Sequence, residues 1–294
     1  MCGIVGYIGN KQAAPILIDG LKKLEYRGYD SAGVAVFDGD RINVVKCRGR
    51  LKNLEEKLKS DNASGVVGIG HTRWATHGEP SDLNPPPHTN SDGTISVVHN
   101  GIIENYLKLK EWLQGIGYRF VTETDTEVIP HLIDYYYHGD IVSAVIRATD
   151  RLQGSYALGI LCSHEPDRII AVRKDSPLIV GKGEGENFIA SDVPAILDHT
   201  RSVYFLEDRE IAVLTAGDVK IMTSGGVPVK RDIYNVTWDA KAAEKGGYEH
   251  FMLKEIYEQP RAIRDTMTSR IIPGSDEIKL DDIRLTKEDL KGID

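Results

Sequence analysis

Ala32-Gly33-Val34-Ala35-Val36-Phe37, then Asp38-Gly39-Asp40, then Ile42-Asn43-Val44-Val45-Lys46, reads as two β-rich runs around a turn signal, a hairpin. Upstream, Val5 to Ile8 reads as a strand, and residues 12–25 place Ile16, Leu17, Leu21 and Leu24 at helical spacing. Downstream, residues 52–60 read as a polar helix. Val66–Ile69 and Ile95–His99 read as buried strands, and helical periodicity returns at 105–114, 125–137 and 140–152. From Tyr156 to Val229 short strands are split by Gly, Asp and Pro, with one brief helix near 193–199. Hairpins dominate, and helices come in runs instead of alternating singly with strands. That favours an α+β fold of antiparallel sheets covered by helices over a doubly wound parallel sheet.

The length of 294 residues suits one large domain with an appendage. Composition divides it at 1–240 and 241–294: Ala240 to Gly247 reads as a linker, Tyr248 to Gln259 as a helix stopped near Pro260, and Ser275 to Asp294 as a charged stretch too poor in apolar residues to build a core. A net charge of −8 argues against a nucleic-acid partner. No apolar run is long enough to span a membrane, and the start lacks a secretory pattern. Cys2, Cys47 and Cys162 have no paired spacing, which fits a reducing, cytoplasmic setting.

Cys2 stands directly behind Met1. If Met1 is removed, a thiol of pKa about 8.5 and an α-amine of about 7.7–8.0 share one residue. The amine is then partly neutral near pH 7 and can take the thiol proton, so nucleophile and base come together. Otherwise Cys2 is simply a small residue behind the start. Arg73 follows a buried-type strand, and its planar fork suits a carboxylate, whether of a substrate or of the protein. His71 and His77 lie six residues apart, but no further ligand cluster follows at a usual spacing, so no metal is expected. Asn100-Gly101 is either a hairpin turn or an oxyanion hole built from the Asn100 amide and the Gly101 N–H. Thr124-Asp125-Thr126-Glu127 matches a helix capping box; Asp125 is either an acid in a first helical turn or a carboxylate for a substrate ammonium. Arg27-Gly28-Tyr29-Asp30-Ser31 reads as a turn. Together these supply a nucleophile, a base, an oxyanion hole, a carboxylate binder and an ammonium binder, which acyl transfer from a free amino acid requires.

Cys2-Gly3-Ile4, Arg27 to Gly33, His71 to Pro80 and His99-Asn100-Gly101 resemble the N-terminal-nucleophile (class II) glutamine amidotransferases, within them most closely the branch that aminates fructose 6-phosphate. The resemblance runs from Cys2 to the end. It implies a four-layer αββα sandwich and no cofactor. It implies that Cys2 attacks the side-chain amide of L-glutamine, that Asn100 and Gly101 form the oxyanion hole, and that Arg73 and Asp125 hold the α-carboxylate and α-ammonium. It also implies that Thr76 and His77 line the pocket, that Trp74 gates ammonia, and that Arg27 orders the site around the terminal amine. Family members commonly read Asn-Ala-His-Pro-His where this chain reads Asn84-Pro85-Pro86-Pro87-His88, so Pro86 replaces a histidine. A sugar isomerase region would follow residue 294; fructose 6-phosphate would bind only there, and the full-length protein would be a homodimer. The rival expectations are a glutamine-sensing domain without turnover and an amidotransferase with another acceptor.

Overall fold

The computed structural model describes residues 2–61, 63–237, 248, 250–268, 270–271 and 291. They fall into two units, Met1–Ala240 and Lys241–Asp294. In the first unit the chain runs β1 (Gly3–Ile8), α1 (Ala13–Leu24), β2 (Ser31–Phe37), β3 (Ile42–Arg48), α2 (Leu51–Ser60), β4 (Val67–Arg73), β5 (His88–Thr89) and β6 (Ile95–Ile103). Three helices follow, α3 (Tyr106–Gly115), α4 (Val128–Tyr136) and α5 (Ile141–Thr149). The rest is β7 (Gly154–Cys162), β8 (Ile169–Lys174), β9 (Ile179–Lys182), β10 (Asn187–Ala190), β11 (Ser202–Phe205), β12 (Glu210–Leu214), β13 (Val219–Thr223), β14 (Pro228–Val229) and β15 (Tyr234–Asn235).

The strands form two sheets, ordered β15-β11-β9-β10-β1-β4-β2-β3 and β14-β13-β12-β8-β7-β6-β5. Every ladder between named strands is antiparallel. Three apolar cores make four layers. Leu17, Leu21 and Leu24 of α1 pack with Val34 and Val36 on one outer face; Leu132 and Val145 of α4 and α5 pack with Val97 and Leu158 on the other. Ile4, Ile69, Val98 and Ala157 lie between the sheets. This is the αββα sandwich, and each fully buried leucine contributes roughly 1.5–3 kcal/mol of burial.

The period of two along a strand decides what reaches the site. In β4, Gly68 and Gly70 face α1; a Cβ there would meet Leu17 Cδ1 at 2.9 Å and Leu21 Cδ1 at 3.0 Å. The alternate residues Val67 and Ile69 enter the inter-sheet core, so His71 and Arg73 share their face. In β6, Ile95 and Val97 pack on the helices while Val98 faces the other sheet, which puts Asn100 on the inner face opposite β4.

Three sequence expectations need correction. Asn100-Gly101 is not a turn; it lies inside β6, where Gly101 pairs with Tyr156 of β7. Residues 124–127 do not open a helix. The helix begins at Val128 without a side-chain cap, because the Glu127 carboxylate is taken by the N–H groups of Val121 and Thr122 and by the Thr122 hydroxyl. In the second unit, α6 (Phe251–Thr268) passes through Pro260 and does not stop there. The expected linker at 240–247 lies outside the described residues, as does the charged stretch from 275 onward apart from Lys291.

Candidate active site

All nine residues singled out in the sequence line one cavity of about 340 Å³: Cys2, Arg27, Arg73, Trp74, Thr76, His77, Asn100, Gly101 and Asp125. It opens where β1 begins and β4 ends. Gly3 pairs with Thr72, so the thiol-bearing end of the chain meets the segment after Arg73.

Cys2 is half-buried. Burial pushes its thiol above the usual range, although the Trp74 N–H, donated to Sγ at 3.2 Å, opposes that. Near neutral pH the group is therefore a thiol and needs a proton acceptor before it can attack. The Cys2 carbonyl accepts from the Asn100 amide at 3.2 Å.

Arg73 is 5% exposed and forms no ion pair among the described residues. Its Nη2 donates to the carbonyls of His77 and Gly78, which curls residues 74–78 around the guanidinium. Its Nη1 is buried without a partner. A buried cation with one open donor edge on a cavity is arranged for an anionic ligand, which favours the substrate reading over a structural carboxylate. Asp30 fixes the same segment: its Oδ2 accepts the Ala75 N–H and its N–H donates to Arg73 O at 3.2 Å. Gly28 makes this approach possible, since a Cβ there would lie 2.8–2.9 Å from the Arg73 carbonyl and the Trp74 nitrogen.

Asp125 is 4% exposed, and its Oδ2 accepts the Ile103 N–H at 2.8 Å. Its other oxygen has no partner among the described residues. Arg27 is buried, 3.6 Å from the carboxylate of Asp192, with Nε unpartnered. Trp74 is 48% exposed, its ring edge-on to Tyr29 at 5.5 Å. The His77 ring meets Tyr106 edge-on, and Thr76 is exposed at the rim. Among the described residues no group of three His, Cys, Asp or Glu is placed to hold a metal, and no helix is long and apolar enough to cross a membrane.

Sequence reasoning weighed His71 only as a metal ligand and gave no role to His88, His99 and Ser191. All four are buried, and the three histidines line the cavity. His71 stood inside a quoted motif two residues before Arg73, and strand parity would have put both on one face. Burial drives all three rings neutral: His71 is pushed down to about 3, His88 well below its usual value, and His99 is lowered too. An unfolded histidine titrates near ~6.5. Below that pH the unfolded chain binds protons that the folded chain refuses, so stability is full above about pH 6.5 and is lost as pH falls toward 3. Unfolding at pH 5 is expected to take up about one proton at His71, with further uptake in the same direction at His88 and His99, read from the slope of unfolding free energy against pH. A flat stability between about pH 6.5 and 5 contradicts it.

Residues 71–198 match a family model described as a glutamine amidotransferase domain. The chain is 64% identical over its whole length to 48% of the glutamine–fructose-6-phosphate aminotransferase [isomerizing] of Clostridium tetani. It is 51% identical to the protein of that name from Thermus thermophilus, over 92% of this chain and 45% of that one. The chain spans about half the length of these curated relatives. Among solved structures, the glutamine phosphoribosylpyrophosphate amidotransferase of B. subtilis, complexed with ADP and GMP, superposes with a TM-score of 0.67 at 26% identity, over 76% of this chain and 49% of that one.

Proposed function

The chain belongs to the glutamine amidotransferase family, and from that premise we propose that it hydrolyses L-glutamine to L-glutamate and ammonia through a thioester on Cys2. One observation carries the reading. The Cys2 thiol, the Asn100 amide and the unpartnered Nη1 of Arg73 converge on one cavity, so a nucleophile, an oxyanion donor and a carboxylate binder face the same molecule. With Met1 removed, the α-amine of Cys2 takes the thiol proton. The thiolate adds to the side-chain amide carbon, and the negative oxygen of the tetrahedral intermediate accepts from Asn100 Nδ2 and the Gly101 N–H. The amine returns the proton to the leaving nitrogen, ammonia departs, and water opens the thioester to glutamate. Of the two hydrogen bonds from Asn100 Nδ2, the longer one to Cys2 O is the one that turns to the oxyanion.

Arg73 binds the glutamine α-carboxylate and Asp125 its α-ammonium; His77 and Thr76 border the substrate. Exposed Trp74, packed on Tyr29, gates ammonia. Arg27, steered by Asp192, orders the terminal amine. Residues 1–240 form the glutaminase domain and 241–294 a linker. The longer protein delivers ammonia to fructose 6-phosphate in a region beyond this chain and acts as a cytoplasmic homodimer. Glutamate release from L-glutamine by the purified chain tests the central step.

Asp125→Asn keeps an acceptor for the Ile103 N–H but removes the charge that meets the ammonium. KM for glutamine should rise by about 30-fold, the equivalent of ~2 kcal/mol for a charge-assisted hydrogen bond, with a smaller effect on kcat. An unchanged KM would return Asp125 to holding Ile103.

A further inference from the structure

The oxyanion donor proposed above is one end of an amide whose two ends have similar shape and opposite chemistry. If Asn100 were turned over, its oxygen would face the developing negative charge, and a donor would become a repulsion. Something must hold the amide one way round.

The hydrogen bonds determine which way. His71 Nε2 lies 3.0 Å from the His99 carbonyl and 2.9 Å from Asn100 Oδ1. A backbone carbonyl only accepts, so Nε2 carries the hydrogen. The Asn100 atom beside it must then also accept, which makes it the oxygen. The NH₂ end is thereby turned toward Cys2 O at 3.2 Å and Ser191 Oγ at 2.9 Å. Ser191 Oγ is itself placed by the Ile4 N–H, which donates to it at 2.8 Å. His71 Nδ1 is buried without a partner, which fits a neutral ring protonated at Nε2. The surroundings enforce the choice: His71 is 1% exposed, between Ile4 of β1 and Gly33 of β2 in the ladder, at the edge of the apolar inter-sheet core. There an amide with mismatched ends has little solvent to satisfy it. The contact also crosses the sandwich. Cys2 enters through the eight-stranded sheet and Asn100 belongs to the seven-stranded one.

We propose that His71 is a positioning residue that locks the Asn100 amide with its NH₂ end toward Cys2 and, in doing so, registers the oxyanion donor of one sheet against the nucleophile of the other. Its Nε2 is committed to the His99 carbonyl and Asn100 Oδ1, so its part is played through Asn100. The proposal rests on the glutaminase reading for its kinetic consequence but not for its geometry.

Three proteins test it: wild type, His71→Leu, which removes the donor at similar volume, and His71→Gln, which restores an N–H near the position of Nε2. His71→Leu is expected to lower kcat about 100-fold or more, the usual effect of losing one oxyanion donor, with KM for glutamine within about threefold. His71→Gln is expected to recover kcat to within about tenfold of wild type even where both variants melt lower. A kcat for His71→Leu within about threefold of wild type, or no recovery in His71→Gln, overturns the proposal. The ring is read directly by ¹⁵N NMR of the wild-type chain, where a neutral Nε2–H tautomer is expected. An Nδ1–H tautomer overturns the proposal whatever the activity. Wild type that releases no glutamate while keeping the Nε2–H tautomer overturns the glutaminase reading and leaves the positioning geometry standing.

Discussion

Cys2→Ala is expected to abolish glutamate release while the protein still binds L-glutamine within a few-fold of the wild-type dissociation constant. The two effects separate because the two tasks lie on different elements. The nucleophile precedes β1, whereas Arg73 ends β4 and Asp125 lies in the turn before α4. Losing Sγ removes two weak contacts to the Trp74 backbone, the N–H at 3.2 Å and the carbonyl at 3.5 Å, and leaves the guanidinium still held by the carbonyls of His77 and Gly78. Neither of the other cysteines lines the cavity, so no second thiol stands in for Cys2. The fall in kcat should reach at least about 10⁴-fold, as when the nucleophile of a cooperating group is deleted. A coupled glutamate assay reads turnover, calorimetry with glutamine reads binding, and N-terminal mass reads whether Met1 is present. Residual turnover in the variant would sink the thioester. Loss of binding would mean that the pocket holds something other than glutamine. Binding without turnover by wild type would favour a glutamine sensor.

The base follows from the same geometry. Burial raises the thiol, so near pH 7 the sulfur holds its proton. His71, His88 and His99, the buried rings of the cavity, are driven neutral, but His71 Nε2 is committed to Asn100 and His99 Nδ1 to Thr126. In the proposed mechanism, the amine that removal of Met1 would release supplies the base.

The layers were legible because alternation and helical spacing are local. β2 and β3 begin and end within about two residues of the hairpin reading, and α1 buries the Leu17, Leu21 and Leu24 face that its spacing implied. What escaped the reading depends on partners far along the chain. Asn100-Gly101 has the local signature of a turn, yet β7 pairs with it across some 55 positions and keeps it extended. Thr124–Glu127 has the signature of a cap, yet the Glu127 carboxylate finds the Val121 and Thr122 N–H groups first. The Asn100 lock joins residues 29 and 91 positions apart, and no sequence window contains it.

Gly101→Ala is expected to be the most damaging single methyl added to β6. Gly101 has φ +129°, and a Cβ there would lie 2.0 Å from Ser155 O, 2.7 Å from Ser155 C and 3.0 Å from Tyr156 Cα. Those atoms are backbone, so no rotamer relieves the clash; β6 and β7 must part, toward the β5 edge of the sheet. Positive φ alone costs a non-glycine residue roughly 1–3 kcal/mol, and forced separation of packed strands adds roughly 1–3 more. Gly39→Ala separates the two contributions. Gly39 has φ +106°, but nothing lies within 4 Å of its Cβ position, so it carries the backbone cost without the clash. Thermal unfolding should therefore show Gly39→Ala mildly destabilised and Gly101→Ala more severely so, by roughly 1–3 kcal/mol beyond it. Whatever fraction of Gly101→Ala folds should have lost about 100-fold or more in kcat, because parting the strands moves the Gly101 N–H and drags Asn100 away from His71. A Gly101→Ala protein as stable and active as Gly39→Ala would mean that the β6–β7 contact is loose and that no oxyanion hole is built on it.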